Sequence, residues 1–171
     1  MSLMKPELVE SIVRDAGGQI VGRTRLQKIA YLLDVVGFND GFRFAYKHYG
    51  PYSEGVATSA MVGSLLGNLT EVERQATWGG TYSIYSVDGQ PDDDVPPGRR
   101  QLASEAAKAD SVALELAATA VFLAREGYED PWAETARRKP EKVMGGRLEQ
   151  AKALLTELRK IDVPTPFPDI G

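Results

Sequence analysis

The chain has no cysteine. That excludes disulfides, thiolate zinc sites, iron–sulfur clusters and a cysteine nucleophile, and it fits a reducing compartment. Histidine is nearly absent as well: His48 is the only one, so a metal site would have to be built from carboxylates and any Ser-His-Asp arrangement from this one imidazole. No long apolar run offers a membrane span, and no charged-then-apolar leader points to secretion, so the sequence predicts a cytoplasmic protein with no membrane partner. No glycine-rich phosphate loop occurs either. Gly17-Gly18 reads as a helix stop and Gly79-Gly80 as a hairpin turn, both without the Lys-Ser/Thr pair of a P-loop. The acidic run Asp92-Asp93-Asp94 lacks the Gly turn and bidentate Glu of a calcium loop and reads as a solvated turn. No catalytic residue, metal or cofactor is therefore predicted, and a non-enzymatic protein is expected.

What remains is an ordinary globular composition, 171 residues with 43% hydrophobic and 26% charged, enough for one core. The net charge of −4 is unevenly spread: residues 71–134 carry 5 positive and 13 negative side chains, residues 137–160 carry 8 positive and 3 negative. One face is thus suited to an acidic partner or nucleic acid while another repels it.

The densest text lies between Gly22 and Gly55. Thr24-Arg25-Leu26-Gln27 has the form of a capping box, which predicts a helix starting at Thr24. Leu26, Ile29, Ala30 and Leu33 give that helix a core-facing stripe, Gly37 a left-handed stop, and Arg23, Arg25 and Lys28 a cationic edge. Alternation over residues 42–47 predicts a half-buried strand with Phe42, Phe44 and Tyr46 on one side. Ser53 is the predicted cap of a further helix carrying Val56, Ala60 and Leu66.

Around this unit, residues 6–16 read as a first helix with Leu8, Ile12 and Val13 inward, opened by Pro6. Residues 70–76 and 81–87 read as a β-hairpin turning at Thr77-Trp78-Gly79-Gly80. Helix followed by hairpin suggests a winged-helix-like N-terminal half, although a loop and strand separate the two helices that a helix-turn-helix joins by about three or four residues. Residues 87–98, rich in Pro and Asp, are a loop within one domain or a hinge between lobes 4–88 and 99–161. Beyond them residues 99–127 form one bent helix or two, Asp130-Pro131 opens another, and Pro140 starts the last. On that last helix Met144, Leu148, Ala151, Leu155 and Leu158 form a stripe that buries in its own domain or zips against a second copy as a homodimer. The expected fold is α+β, mostly α, as one domain over 4–161 followed by a Pro-rich tail, 162–171.

The phrase Arg25-Leu26-Gln27-Lys28-Ile29-Ala30-Tyr31, with Tyr49-Gly50-Pro51 at a corner before the next helix, resembles the Panacea-domain proteins, the SocA-like antitoxins of bacterial and phage toxin–antitoxin pairs. The likeness extends over most of the chain, including the closing helix. It implies an interaction module that binds and neutralises a cognate protein toxin, in some members by presenting it to a cellular protease. The residues themselves nominate a partner-binding patch of Arg23, Arg25, Lys28, His48, Tyr49 and Tyr52, since Tyr and Arg are the types most enriched at interface hot spots. The alternative is a winged-helix transcription regulator that binds DNA through the Ser53 helix and the hairpin around Trp78.

Overall fold

The structure is a computed structural model and describes residues 5–38, 40–47 and 50–170. Helix α1, Pro6–Asp15, starts on Pro6 and places Glu7 and Arg14 in its first and last turns, where each complements the helix dipole. Val9, Ile12 and Val13 are fully buried, Val9 taking the inward place expected of Leu8.

Strand β1, Gln19–Val21, runs directly into helix α2, Arg23–Val35. The expected capping box is not formed. Gly22 is the cap residue, at φ +100°, and no side chain caps the helix. The Gly22 amide is tied to the Ser83 carbonyl at 2.7 Å, so the chain must turn from sheet to helix at one residue, in a conformation open to glycine. Thr24 falls inside the helix, and the Gln27 side chain is engaged elsewhere. The stripe of Leu26, Ile29, Ala30 and Leu33 is buried as expected, and Tyr31, Leu32 and Val35 are buried with it, making α2 a central helix. Gly37 ends it at φ +98°.

The aromatic segment pairs over only three residues: β2, Ala45–Lys47, lies antiparallel to β3, Gly50–Tyr52, in the register Ala45↔Tyr52, Tyr46↔Pro51 and Lys47↔Gly50. Ser53 ends β3 by capping α3, so Phe42 and Phe44 have no strand to pair with and pack, half-buried, against the core. Helix α3, Glu54–Leu66, is capped as predicted, the Val56 amide donating to Ser53 Oγ at 3.2 Å. Its inward stripe is Val56, Ser59, Ala60 and Gly63; Leu66 is 85% exposed instead of turning inward.

Strands β4, Thr70–Gln75, and β5, Thr81–Ser86, form the predicted hairpin, and β5 also pairs with β1 to give a three-stranded antiparallel sheet in the order β1-β5-β4. The order α1-β1-α2-α3-β4-β5, with the small strand closing the sheet, is winged-helix-like, and the β2-β3 pair occupies the place of the short turn.

Residues 99–127 contain two helices. Helix α4, Pro97–Lys108, ends where Asp110 caps helix α5, Ser111–Arg125, by accepting from the Ala113 amide at 2.9 Å. Arg99 on α4 is buried and pairs with Asp15 at 2.7 Å and Asp40 at 3.2 Å, fastening α4 to the end of α1 and the exit of α2. Asp130 caps helix α6, Pro131–Arg138, as expected. The last helix, α7, spans Arg147–Leu158 and does not start at Pro140. Gly145 and Gly146 have φ of +69° and +79°, outside the right-handed helix. The turns before them are held to α5 by Lys139 and Lys142, which donate to the two carboxylate oxygens of Glu115 at 3.0 and 2.9 Å. Ala151, Leu155 and Leu158 pack against α5, and Met144 is 69% exposed.

The Pro-rich tail packs as well. The Thr165 amide donates to the Val36 carbonyl at 2.9 Å, Arg159 donates to the carbonyls of Phe167 and Pro168, and Phe167 and Ile170 are buried. One hydrophobic cluster contains residues from α1 to this tail, with α5 at its centre touching α2, α6, α7 and β3. Among the described residues no helix is long and apolar enough to cross a membrane.

Candidate docking surface

The two segments that carry the family likeness touch each other. The Gln27 side-chain amide both accepts from the Ser53 amide, at 2.8 Å, and donates to the Ser53 carbonyl, at 3.0 Å. One residue along, Lys28 Nζ donates to the Pro51 carbonyl at 2.8 Å. This clamp sets the Gly-Pro corner and the start of α3 against α2. It also corrects the expected placement of Lys28: the side chain is 1% exposed, so it cannot present an ammonium at the surface. Burial pushes its pKa down to about 7; the Glu115 carboxylate works against that shift, and Lys139 and Lys142 add to it. His48 and Tyr49 lie outside the described residues.

The other three nominated residues flank two grooves that meet at the start of α2. The smaller, about 420 Å³, runs between α2, α3 and the β4-β5 hairpin; Arg23, Tyr52, Ala57, Met61 and Glu71 line it, with Lys28 and Leu26 beneath. The larger, about 940 Å³, lies between the hairpin and the starts of α2 and α5, lined by Arg23, Arg25, Trp78, Tyr82 and Lys142. Arg23 borders both. Its side chain is 68% exposed and reaches Glu71 at 3.1 Å and Glu73 at 3.5 Å, and the hydrogen bond to Glu71 raises its pKa.

Arg25 is half-buried and spends its fork on the carbonyls of Val21, at 2.6 Å, and Ala109, at 3.0 Å, which leaves it a strut between β1 and the α4-α5 junction. Burial lowers its pKa. Tyr52 is half-buried, with Lys47 Nζ 5.0 Å from its ring centre.

The sequence pointed to Leu66 on its helix and Trp78 at its hairpin but not to Met61 or Leu65, and all four are exposed apolar side chains. Met61 is 54% exposed, Leu65 73%, Leu66 85%, and Trp78, folded over Gly80 at the hairpin tip, 75%. Ala57, Met61 and Leu65 recur at spacings of four, so they run along one face of α3 and extend the smaller groove. Leu65 was the available signal, because it falls opposite the inward stripe through Val56, Ala60 and Gly63, whereas Leu66, three residues after Gly63, continues that stripe. In the same helix there is one Glu and no Lys or Arg.

No protein-family model matches the chain, and no curated protein matches it. Its reading therefore rests on the residues and their geometry. Among the described residues no cluster of His, Cys, Asp or Glu could hold a metal ion.

Proposed function

We propose that the chain is a non-enzymatic, antitoxin-like interaction module that binds and neutralises a partner protein, the function implied by its resemblance to the Panacea-domain proteins. The observation that carries this reading is the face of α3 formed by Ala57, Met61 and Leu65, continuing into a groove rimmed by Arg23 and Tyr52. Large exposed apolar side chains beside Arg and Tyr are the composition of a protein-binding hot spot, where the aliphatic groups supply burial and the rim supplies orientation. Neutralisation by occlusion needs a rigid surface and no chemistry, and the clamp of Gln27 and Lys28 on β3 and Ser53 supplies that rigidity. Delivery of the bound toxin to a protease is a further part of the proposal.

The alternative, a DNA-binding regulator, would use α3 as its reading helix. A helix in a DNA groove needs cations to neutralise phosphates. Since α3 has none, and the hairpin strand β4 offers Glu71 and Glu73 beside Arg74, the protein-binding reading is the better supported.

Growth assays test it. The reading frame beside this gene is expressed alone, with the wild-type chain, and with a Met61→Asp/Leu65→Asp variant. Toxicity relieved by the wild type and restored with the variant is the expected result. A neighbour that is harmless, or whose toxicity the wild type leaves unchanged, overturns the proposal.

A further inference from the structure

A third groove, about 350 Å³, opens on the other side of Tyr52, where Phe42, Phe44 and Tyr52 make its aromatic walls. Lys5, Arg43, Lys47 and Glu54 stand around it. Lys47 is neutralised by Glu54 at 2.6 Å. Among the described residues the other two cations have no carboxylate partner. Lys5 Nζ donates to the backbone carbonyl of Asp40 at 3.2 Å and stands 6.0 Å from the centre of the Phe42 ring, while the Asp40 carboxylate is taken by Arg99. Arg43 is exposed and makes no hydrogen bond or ion pair among the described residues. A chain with net charge −4 therefore keeps two uncompensated cations at one aromatic-walled cleft.

We propose that this groove binds an acidic polypeptide segment, carboxylates against Arg43 and Lys5 and an apolar side chain between Phe42, Phe44 and Tyr52. A guanidinium with its fork unspent is the donor best shaped for a carboxylate, and the rings bury an apolar side chain beside it. A chain of phosphates fits less well, because it carries a charge on every unit and only Lys5 and Arg43 are without a carboxylate among the described residues, whereas a peptide can alternate carboxylates with an apolar side chain. The site stands apart from the apolar face of α3, so it can be tested without any knowledge of the proposed toxin.

The test is an NMR titration of the isotopically labelled full chain. Three probes are used: acetyl-Asp-Phe-Asp-amide, its acetyl-Asn-Phe-Asn-amide counterpart, and inorganic phosphate. The acidic peptide is expected to shift the amides of residues 41–47 and 52–55 saturably, more weakly as salt is raised, with the Asn peptide binding about three- to tenfold less tightly. A Lys5→Gln/Arg43→Gln variant, in which Arg43 is exposed and Lys5 half-buried, is expected to keep its dispersed spectrum and to lose a similar factor. Equal binding of both peptides, an unchanged affinity in the variant, saturable shifts only elsewhere, phosphate binding that the peptide does not displace, or no binding of the acidic peptide would each overturn the proposal.

Discussion

Replacing Lys28 by Met changes how stability depends on pH. In the folded chain the Lys28 ammonium is buried with a single carbonyl acceptor, and its pKa falls to about 7. Unfolded, it titrates near ~10.4. Between those values the unfolded state holds more protons than the folded one, so Lys28 makes stability rise with pH across the window from about 7 to about 10. The slope is at most ~1.4 kcal/mol per pH unit. From pH 7.5 to 9.5 the wild type should therefore gain up to about 3 kcal/mol on Lys28→Met, whose thioether has no proton to exchange. Near pH 7 the variant is expected to equal or exceed the wild type, because it no longer buries a charge. At high pH it should be the weaker by about 1 kcal/mol, for the Pro51 carbonyl left without its donor. Urea unfolding of both proteins at several pH values gives the difference directly, and titrating groups that do not interact with Lys28 cancel in it. A difference constant to within about 0.5 kcal/mol across the window would refute the account of Lys28 as a buried, readily deprotonated amine.

Three further outcomes are expected in urea unfolding near neutral pH. Arg99→Met should cost about 3–5 kcal/mol, because it strands the buried Asp15 carboxylate and frees Asp40; a loss below about 1 kcal/mol would mean that the ion pairs do not hold α4 in place. Gln27→Ala should cost about 1–3 kcal/mol by leaving the buried Ser53 amide without an acceptor, while the Ser53 carbonyl keeps the Ala57 amide at 3.2 Å, and an unchanged midpoint would contradict the clamp. Phe167→Ala should cost about 3 kcal/mol if the tail belongs to the core, whereas an effect within about 0.5 kcal/mol would show a tail that contributes nothing.

Periodicity revealed the helices because each buries a stripe, as in α2 and α5, while the hairpin was legible from its Gly-Gly turn, since β4 is almost wholly exposed. Local caps were legible where the side chain meets its own helix, at Ser53, Asp110 and Asp130. The failures share a cause. Thr24-x-x-Gln27 obeys the capping rule, yet the Gln27 amide finds a better partner 26 residues away, in the Ser53 backbone, and such a bond leaves no local pattern. Lys28 has the helical position of a solvated cation but meets a carbonyl delivered by β3. Pro140 is a sound helix opener overruled by Gly145-Gly146. For the candidate surface, the sequence identified Arg23 and Tyr52 at the grooves but not the α3 face between them. Leu65 falls opposite the inward stripe, but the exposure of Leu66, which continues it, depends on how far along α3 the rest of the chain reaches, and that is a tertiary fact.

Helix α5 is enclosed by parts of the chain made both before and after it. Cutting the polypeptide in the Pro/Asp loop at residues 88–96 would leave a front piece lacking the partner of α2 and a rear piece with a naked hydrophobic rod. Neither piece has the means to stay monomeric by itself, and each is the natural cover for the other. The loop is thus the place to divide the gene for split-fragment complementation, with reassembly reporting directly on the fit between the two pieces.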